Sequence, residues 1–174
     1  MELLYSAAAI QGRVDDIASS LNRAHKGQPL VHAIVMMNGA MMFAADVVRK
    51  LNLPLTLHFC GGSYFDGAIK HEVGLNPQTL PSSFNNAPVL IIEDIVDSGK
   101  SVATMRQLLA DRHASEIKLV TLLKRQSTKV TPDECAFTIP DNLFVVGYGM
   151  DLDGRYRELK DIRKLATGTG SGVC

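Results

Sequence analysis

Residues Val89 to Ser101 run Val-Leu-Ile-Ile-Glu-Asp-Ile-Val-Asp-Ser-Gly-Lys-Ser, and this order constrains the fold more than any other stretch. Four consecutive apolar residues are the pattern of a strand buried on both faces, as in a parallel sheet covered by helices. A cluster of acids follows, then a short glycine-containing turn, and a helical pattern begins at Ser101. Three carboxylates, Glu93, Asp94 and Asp97, and a helix N-terminus are thereby predicted at the carboxyl end of a central strand. In open α/β sheets ligands bind there. Turn amides and a helix dipole suit an anion, while carboxylates suit hydroxyls, a metal or a proton. A loop that can hold a phosphate and a polyhydroxylated group together points to a sugar phosphate.

Gly99-Lys100-Ser101 also matches the tail of a nucleotide-binding P-loop. That motif needs a glycine five residues before Gly99, and position 94 is Asp, which would repel a polyphosphate where the loop must enclose it. The P-loop is excluded. Capping of a strand and a helix explains one or two polar residues, but not three acids around a buried strand end.

Helical and strand patterns alternate along the rest of the chain. Ile10, Val14, Ile17 and Leu21 form an apolar stripe on a first helix, capped by Ser6 and stopped by Gly27. Leu30 to Met37 reads as a buried strand, and Ala40 to Leu51 as a helix presenting Phe43, Val47 and Leu51. Leu53, Leu55, Leu57 and Phe59 alternate, predicting a strand with one buried face. After Val89 to Glu93, a helix turns Val102, Met105, Leu108 and Leu109 inward, and Ile117 to Leu123 and Phe144 to Val146 complete the strands. The fold class is α/β with a mostly parallel sheet. Residues 60 to 88 are rich in glycine, proline and polar side chains, and read as a mobile lid. Thr167 to Cys174 lack periodicity and read as a disordered tail.

Lysine plus arginine and aspartate plus glutamate both number 18, so the net charge is zero. No basic field exists to hold DNA or RNA nonspecifically. No apolar run is long enough to cross a membrane. Cys60, Cys135 and Cys174 are odd in number and widely spaced, which suggests a reducing, cytoplasmic setting and neither a disulfide framework nor a zinc site.

The order of acids, apolar pair, Asp and Ser-Gly-Lys-Ser over Glu93 to Ser101 resembles the signature of the type I phosphoribosyltransferases, and within them the hypoxanthine-guanine enzymes. Three further segments share it. Met37-Asn38-Gly39 resembles the family's pyrophosphate loop, where a cis peptide often precedes the middle residue. Ser63-Tyr64 matches the pair on the loop that closes over the site and excludes water. Phe144-Val145-Val146-Gly147-Tyr148-Gly149-Met150-Asp151 resembles the purine-pocket segment. The resemblance runs from about Ser6 to Leu159.

The resemblance implies a single domain over residues 1–166, with a parallel sheet flanked by helices and a small hood. It implies purine salvage: transfer of phosphoribose from phosphoribosyl pyrophosphate (PRPP) to hypoxanthine or guanine, with magnesium as cofactor. Glu93 and Asp94 would hold the ribose hydroxyls, directly or through magnesium, and Ser98, Gly99, Lys100 and Ser101 the 5′-phosphate. Asp97 would exchange a proton with purine N7 as general base. Asn38, Gly39 and Arg157 would contact pyrophosphate, Phe144 would stack on the base and Val145 would read its edge. Asp151 would lie near the metal.

Two positions depart from the family pattern. Leu152 replaces an aromatic, and the lysine that points at the purine 6-oxo group is replaced in register by Arg125, with Lys124 just before it. Only one of the two can face the pocket of a strand. The fold family implies a homodimer or homotetramer. Transfer to xanthine or another base, and a non-catalytic PRPP-sensing regulator, are the alternatives; adenine fits least, because the adenine enzymes lack an acid at the place of Asp97.

Overall fold

The computed structural model describes residues 1–61, 64–66, 69–71 and 76–165. Its centre is a five-stranded, all-parallel sheet in the order β3-β2-β6-β7-β8, formed by β2 (Val31–Met36), β3 (Leu55–Cys60), β6 (Val89–Val96), β7 (Ile117–Arg125) and β8 (Glu134–Ile139). All six residues of β2 are buried, as are Val89 to Ile92 of β6, which is why these strands read as unbroken apolar runs. The chain leaves β2 toward one edge and β6 toward the other. The carboxyl ends of β2 and β6 therefore meet at a topological switch point, the ligand-binding crevice of open α/β sheets.

Among the described residues, three α-helices flank the sheet. Helix α1 (Ala7–Ala24) starts where the Ser6 hydroxyl accepts the Ala9 amide at 3.2 Å, as its sequence suggests, and buries Ile10, Val14, Ile17 and Leu21. Helix α2 (Met41–Val48) packs on α1, β2 and β6, and α3 (Lys100–Asp111) on β6 and β7. Phe43 and Val47 of α2 and Val102, Met105 and Leu109 of α3 are buried. A second, antiparallel sheet of β1 (Glu2–Tyr5), β10 (Ile162–Lys164) and β9 (Val145–Val146) forms the hood. A short hairpin of β4 (Tyr64–Asp66) and β5 (Ile69–His71) follows β3.

Several sequence expectations change. Strand β8 has no counterpart among them, and Val145–Val146 joins the hood instead of the main sheet. Helix α2 ends at Val48, short of Leu51. In β3 the outward side of the alternation is the apolar one: Leu57 and Phe59 are 41% and 54% exposed, while Cys60 is buried. β3 is an edge strand and α2 lies over its neighbours, so this face has no cover within the described residues. Residues 76–88, grouped with the lid by their composition, are packed. Leu80 and Phe84 are buried, and Arg112 donates to the carbonyls of Pro77, Leu80 and Pro81. Ser63 and the tail over 167–174 lie outside the described residues, as does the side chain of Tyr64.

Candidate active site

At the carboxyl end of β6 the alternation of a strand sends Glu93 and Asp94 to opposite sides, toward two different cavities. Glu93 is buried, whereas Asp97 is exposed on the turn into α3. Glu93, Asp97, Ser98, Gly99, Lys100 and Ser101 together line a small cavity of about 80 Å³. Gly99, at φ +77°, turns the chain into α3, so the first amides of that helix open on this cavity and favour an anion. The sequence-predicted loop residues Ser98 to Ser101 are thus brought together around one cavity.

Asp94 lines a second cavity, of about 200 Å³, with Ile95, Arg125, Phe144, Val145, Met150 and Asp151. Ile95 lines both cavities, which therefore adjoin. The ring of Phe144 is 47% exposed, an apolar platform beside a guanidinium. Arg125 is on this side of β7; Lys124 is near Cys135 on the other. Nη1 of Arg125 donates to the carbonyls of Pro140 at 2.9 Å and Leu143 at 2.6 Å, so Arg125 also fastens the turn that carries Phe144. Its Nε is buried without a hydrogen-bond partner among the described residues.

Met37-Asn38-Gly39 follows β2, with the Met37–Asn38 peptide cis and Asn38 exposed. A Cβ on Gly39 would fall 1.6 Å from Oδ2 of Asp94. Only glycine admits that approach, and it sets the two loops against each other. The Asp94 amide donates to Oε1 of Glu93 at 3.1 Å, and the Ile95 amide to Oδ1 of Asp94 at 2.8 Å. Burial first, and then the neighbouring Asp94 carboxylate, push the Glu93 carboxyl up to about 9. Neither acid has an ion-pair partner among the described residues. Such a site favours a ligand that brings positive charge or donates hydrogen bonds.

Asp151 and Arg157, given separate roles by the family resemblance, form an ion pair at 2.8 Å. Asp151 also accepts the Gly154 amide at 2.7 Å, and Arg157 donates to the Gly149 carbonyl at 2.7 Å. Sequence reasoning missed Ile95 and Met150 as cavity walls, and a cluster of Gln11, Asp46, Arg49 and Tyr148 behind the site. Asp46 carried a signal: it is the one carboxylate in a helix of otherwise apolar residues.

The family model described as a phosphoribosyl transferase domain matches residues 2–153. A hypoxanthine-guanine phosphoribosyltransferase of Staphylococcus aureus is 32% identical over 169 residues, covering 94% of this chain and 93% of the relative. A hypoxanthine phosphoribosyltransferase of Haemophilus influenzae is 30% identical over 172 residues, 95% of each. A crystal structure of a hypoxanthine phosphoribosyltransferase from Staphylococcus aureus superimposes with a TM-score of 0.80 at 30% identity, covering 95% of this chain and 91% of that one.

Proposed function

We propose that this chain, which belongs to the phosphoribosyl transferase family, is a purine-salvage enzyme that transfers phosphoribose from PRPP to hypoxanthine or guanine. The products are the nucleoside monophosphate and pyrophosphate. The observation that carries the reading is the pair of adjoining cavities at the switch point. One has carboxylates, hydroxyls and a helix N-terminus, and the other an aromatic ring beside an arginine.

In this reading Ser98 to Ser101 hold the 5′-phosphate, and Glu93 and Asp94 the ribose hydroxyls. The purine lies on Phe144, with Arg125 toward its 6-oxo group and the Val145 backbone along its edge. Asp97 accepts a proton from purine N7 as the bond to ribose forms. Asn38, Gly39 and Arg157 receive the departing pyrophosphate. No protein nucleophile is needed, because the leaving group departs from a ribosyl centre of cationic character.

A divalent metal, as the family implies, suits these residues: a buried carboxyl beside a second carboxylate, with no cation of their own. No group of three His, Cys, Asp or Glu side chains among the described residues could enclose an ion. Magnesium commonly takes one or two carboxylates and completes its shell with water and substrate phosphates. Of the candidate side chains Glu93, Asp94 and Asp151, one or two would hold it, and when bound it would neutralise charge on the leaving group.

Residues 1–166 act as one domain. Ser63 and Tyr64 close over the site; in support, the segment that carries them starts at Gly61, where a Cβ would lie 2.3 Å from the Met37 carbonyl of the pyrophosphate loop. No helix among the described residues is long and apolar enough to cross a membrane, and Cys60 and Cys135 are free thiols, which supports a cytoplasmic enzyme. The uncovered Leu57 and Phe59 face of β3 supports assembly into a homodimer or homotetramer.

The test is an assay of hypoxanthine, guanine, xanthine, adenine and uracil with PRPP and magnesium, following pyrophosphate release. Hypoxanthine and guanine should react with stoichiometric pyrophosphate. Turnover of xanthine alone, or of no base, would overturn the reading.

A further inference from the structure

We infer that Asp46 and Tyr148, neither of which borders the two cavities of the site, are positioning residues that hold its pyrophosphate side together. The inference rests on the proposed function, since it assigns how the pyrophosphate-binding parts are kept in place. Three successive residues, Gly147, Tyr148 and Gly149, have positive φ of +98°, +51° and +102°. For tyrosine this is an unfavourable backbone region, which persists only where the surroundings over-determine it.

The surroundings do so. The Tyr148 amide donates to the Leu159 carbonyl at 2.8 Å, and the Gly149 amide to the Arg157 carbonyl at 3.0 Å. Arg157 returns a hydrogen bond to the Gly149 carbonyl and grips Asp151. On its other side Gly149 lies directly against the pyrophosphate loop, for a Cβ there would fall 2.1 Å from the Gly39 carbonyl. The turn is thus the joint between Met37-Asn38-Gly39 and the Asp151–Arg157 pair.

The side chain of Tyr148 points back into the body and is 6% exposed. Its hydroxyl donates to Oδ2 of Asp46 at 2.6 Å, which also accepts from Gln11 at 2.6 Å, while Arg49 holds the other oxygen. Burial would raise the Asp46 carboxyl, but these donors outweigh it and hold it below the ordinary carboxylate range. Asp46 is on α2, the helix that begins directly after Gly39 and Ala40. The pyrophosphate loop and the 147–150 turn are therefore tied twice: at the Gly39–Gly149 contact, and again at Asp46–Tyr148. A single contact leaves a hinge, whereas two fix an angle.

The experiment begins with wild-type kinetics for PRPP and purine; absence of turnover there overturns the proposed function itself, whatever these two residues do. With wild-type turnover established, Tyr148→Phe and Asp46→Ala should each lower kcat/KM for PRPP by roughly 10- to 100-fold, the scale of a small misplacement of reacting groups. Binding of the nucleoside monophosphate product, which lacks pyrophosphate, should be unchanged. Asp46→Asn, which keeps an acceptor for the Tyr148 hydroxyl, should restore most of the loss seen in Asp46→Ala. The double variant should be no worse than either single one. Equal losses toward PRPP and the monophosphate, or a fall in Tm with unaltered kinetics in Tyr148→Phe and Asp46→Ala, would reduce the pair to a packing feature and overturn the inference.

Discussion

The two ends of the β2–β6 region of the sheet hold like titratable groups in opposite ways. At the carboxyl end Glu93 and Asp94 crowd together, and burial with the neighbouring carboxylate drives Glu93 up to about 9. Near the amino end His32 and His58 also meet, their ring nitrogens 2.9 Å apart, with the edge contacts of Phe84 against both. Burial lowers both imidazoles, and His32 lowers His58 further. The histidines resolve their proximity alone, by staying neutral and sharing one hydrogen bond. The carboxylates resolve theirs by keeping a proton on Glu93, which a cation or hydrogen-bond donor from outside would displace. The histidine end has its partners within the chain, whereas the carboxylate end is the one that the proposed function fills with a ligand.

Three measurements would break or sharpen that contrast. The largest effect is expected at Asp97, exposed at the carboxyl end. Asp97→Asn should slow turnover about 10²- to 10⁴-fold, the range of a lost general base, with Tm unchanged. A stability loss with near-normal turnover would place Asp97 among the structural residues instead. Next is the cavity beside Phe144. Arg125→Ala should weaken hypoxanthine and guanine binding by about 1.5–3 kcal/mol, as a lost charge-assisted hydrogen bond does, and Lys124→Ala should not. The reverse pattern in a titration of both variants would put the strand out of register with its assigned side.

The smallest effect belongs to the histidines. Their folded pKa values lie below the ordinary imidazole value of about 6.5, so the unfolded chain binds more protons. Stability should fall as pH drops below about 6.5 and continue falling until the folded imidazoles themselves titrate. Thermal melts of wild type and His58→Gln across this range should show a flatter profile for the variant. Parallel profiles would mean that the pair is not the source, and that the amino end is not self-sufficient after all.

The sequence carried the switch-point loop almost whole. The β6 run, the acids and the Ser6 cap are local patterns whose physics operates within a few residues, so periodicity and capping rules reach them. β8 escaped because Glu134-Cys-Ala-Phe-Thr-Ile mixes polar and apolar residues at a sheet edge, without the unbroken apolar run of a central strand. Leu57 and Phe59 misled for the related reason that alternation reveals two faces without saying which is covered. Arg125 was placed by motif register, whereas its second task, gripping the carbonyls of Pro140 and Leu143, depends on a turn 15 to 18 residues away. The Asp46–Tyr148 tie spans 102 residues, and no local pattern announces a contact of that range.

The hood also bears on how the molecule is made. Glu2 pairs with Lys164, from the opposite end of the chain, and β9 joins through β10. All five parallel strands and the helices α1, α2 and α3 end by Ile139. During synthesis the N-terminal part emerges first, so every strand of the main sheet has left the ribosome before Ile162–Lys164. Glu2–Tyr5 must wait unpaired through that interval. The Val145–Val146 strand, which adjoins Phe144 and the turn at Tyr148, waits with it. The residues of the scaffold are therefore available first, and those that complete the site in the proposed function only afterwards.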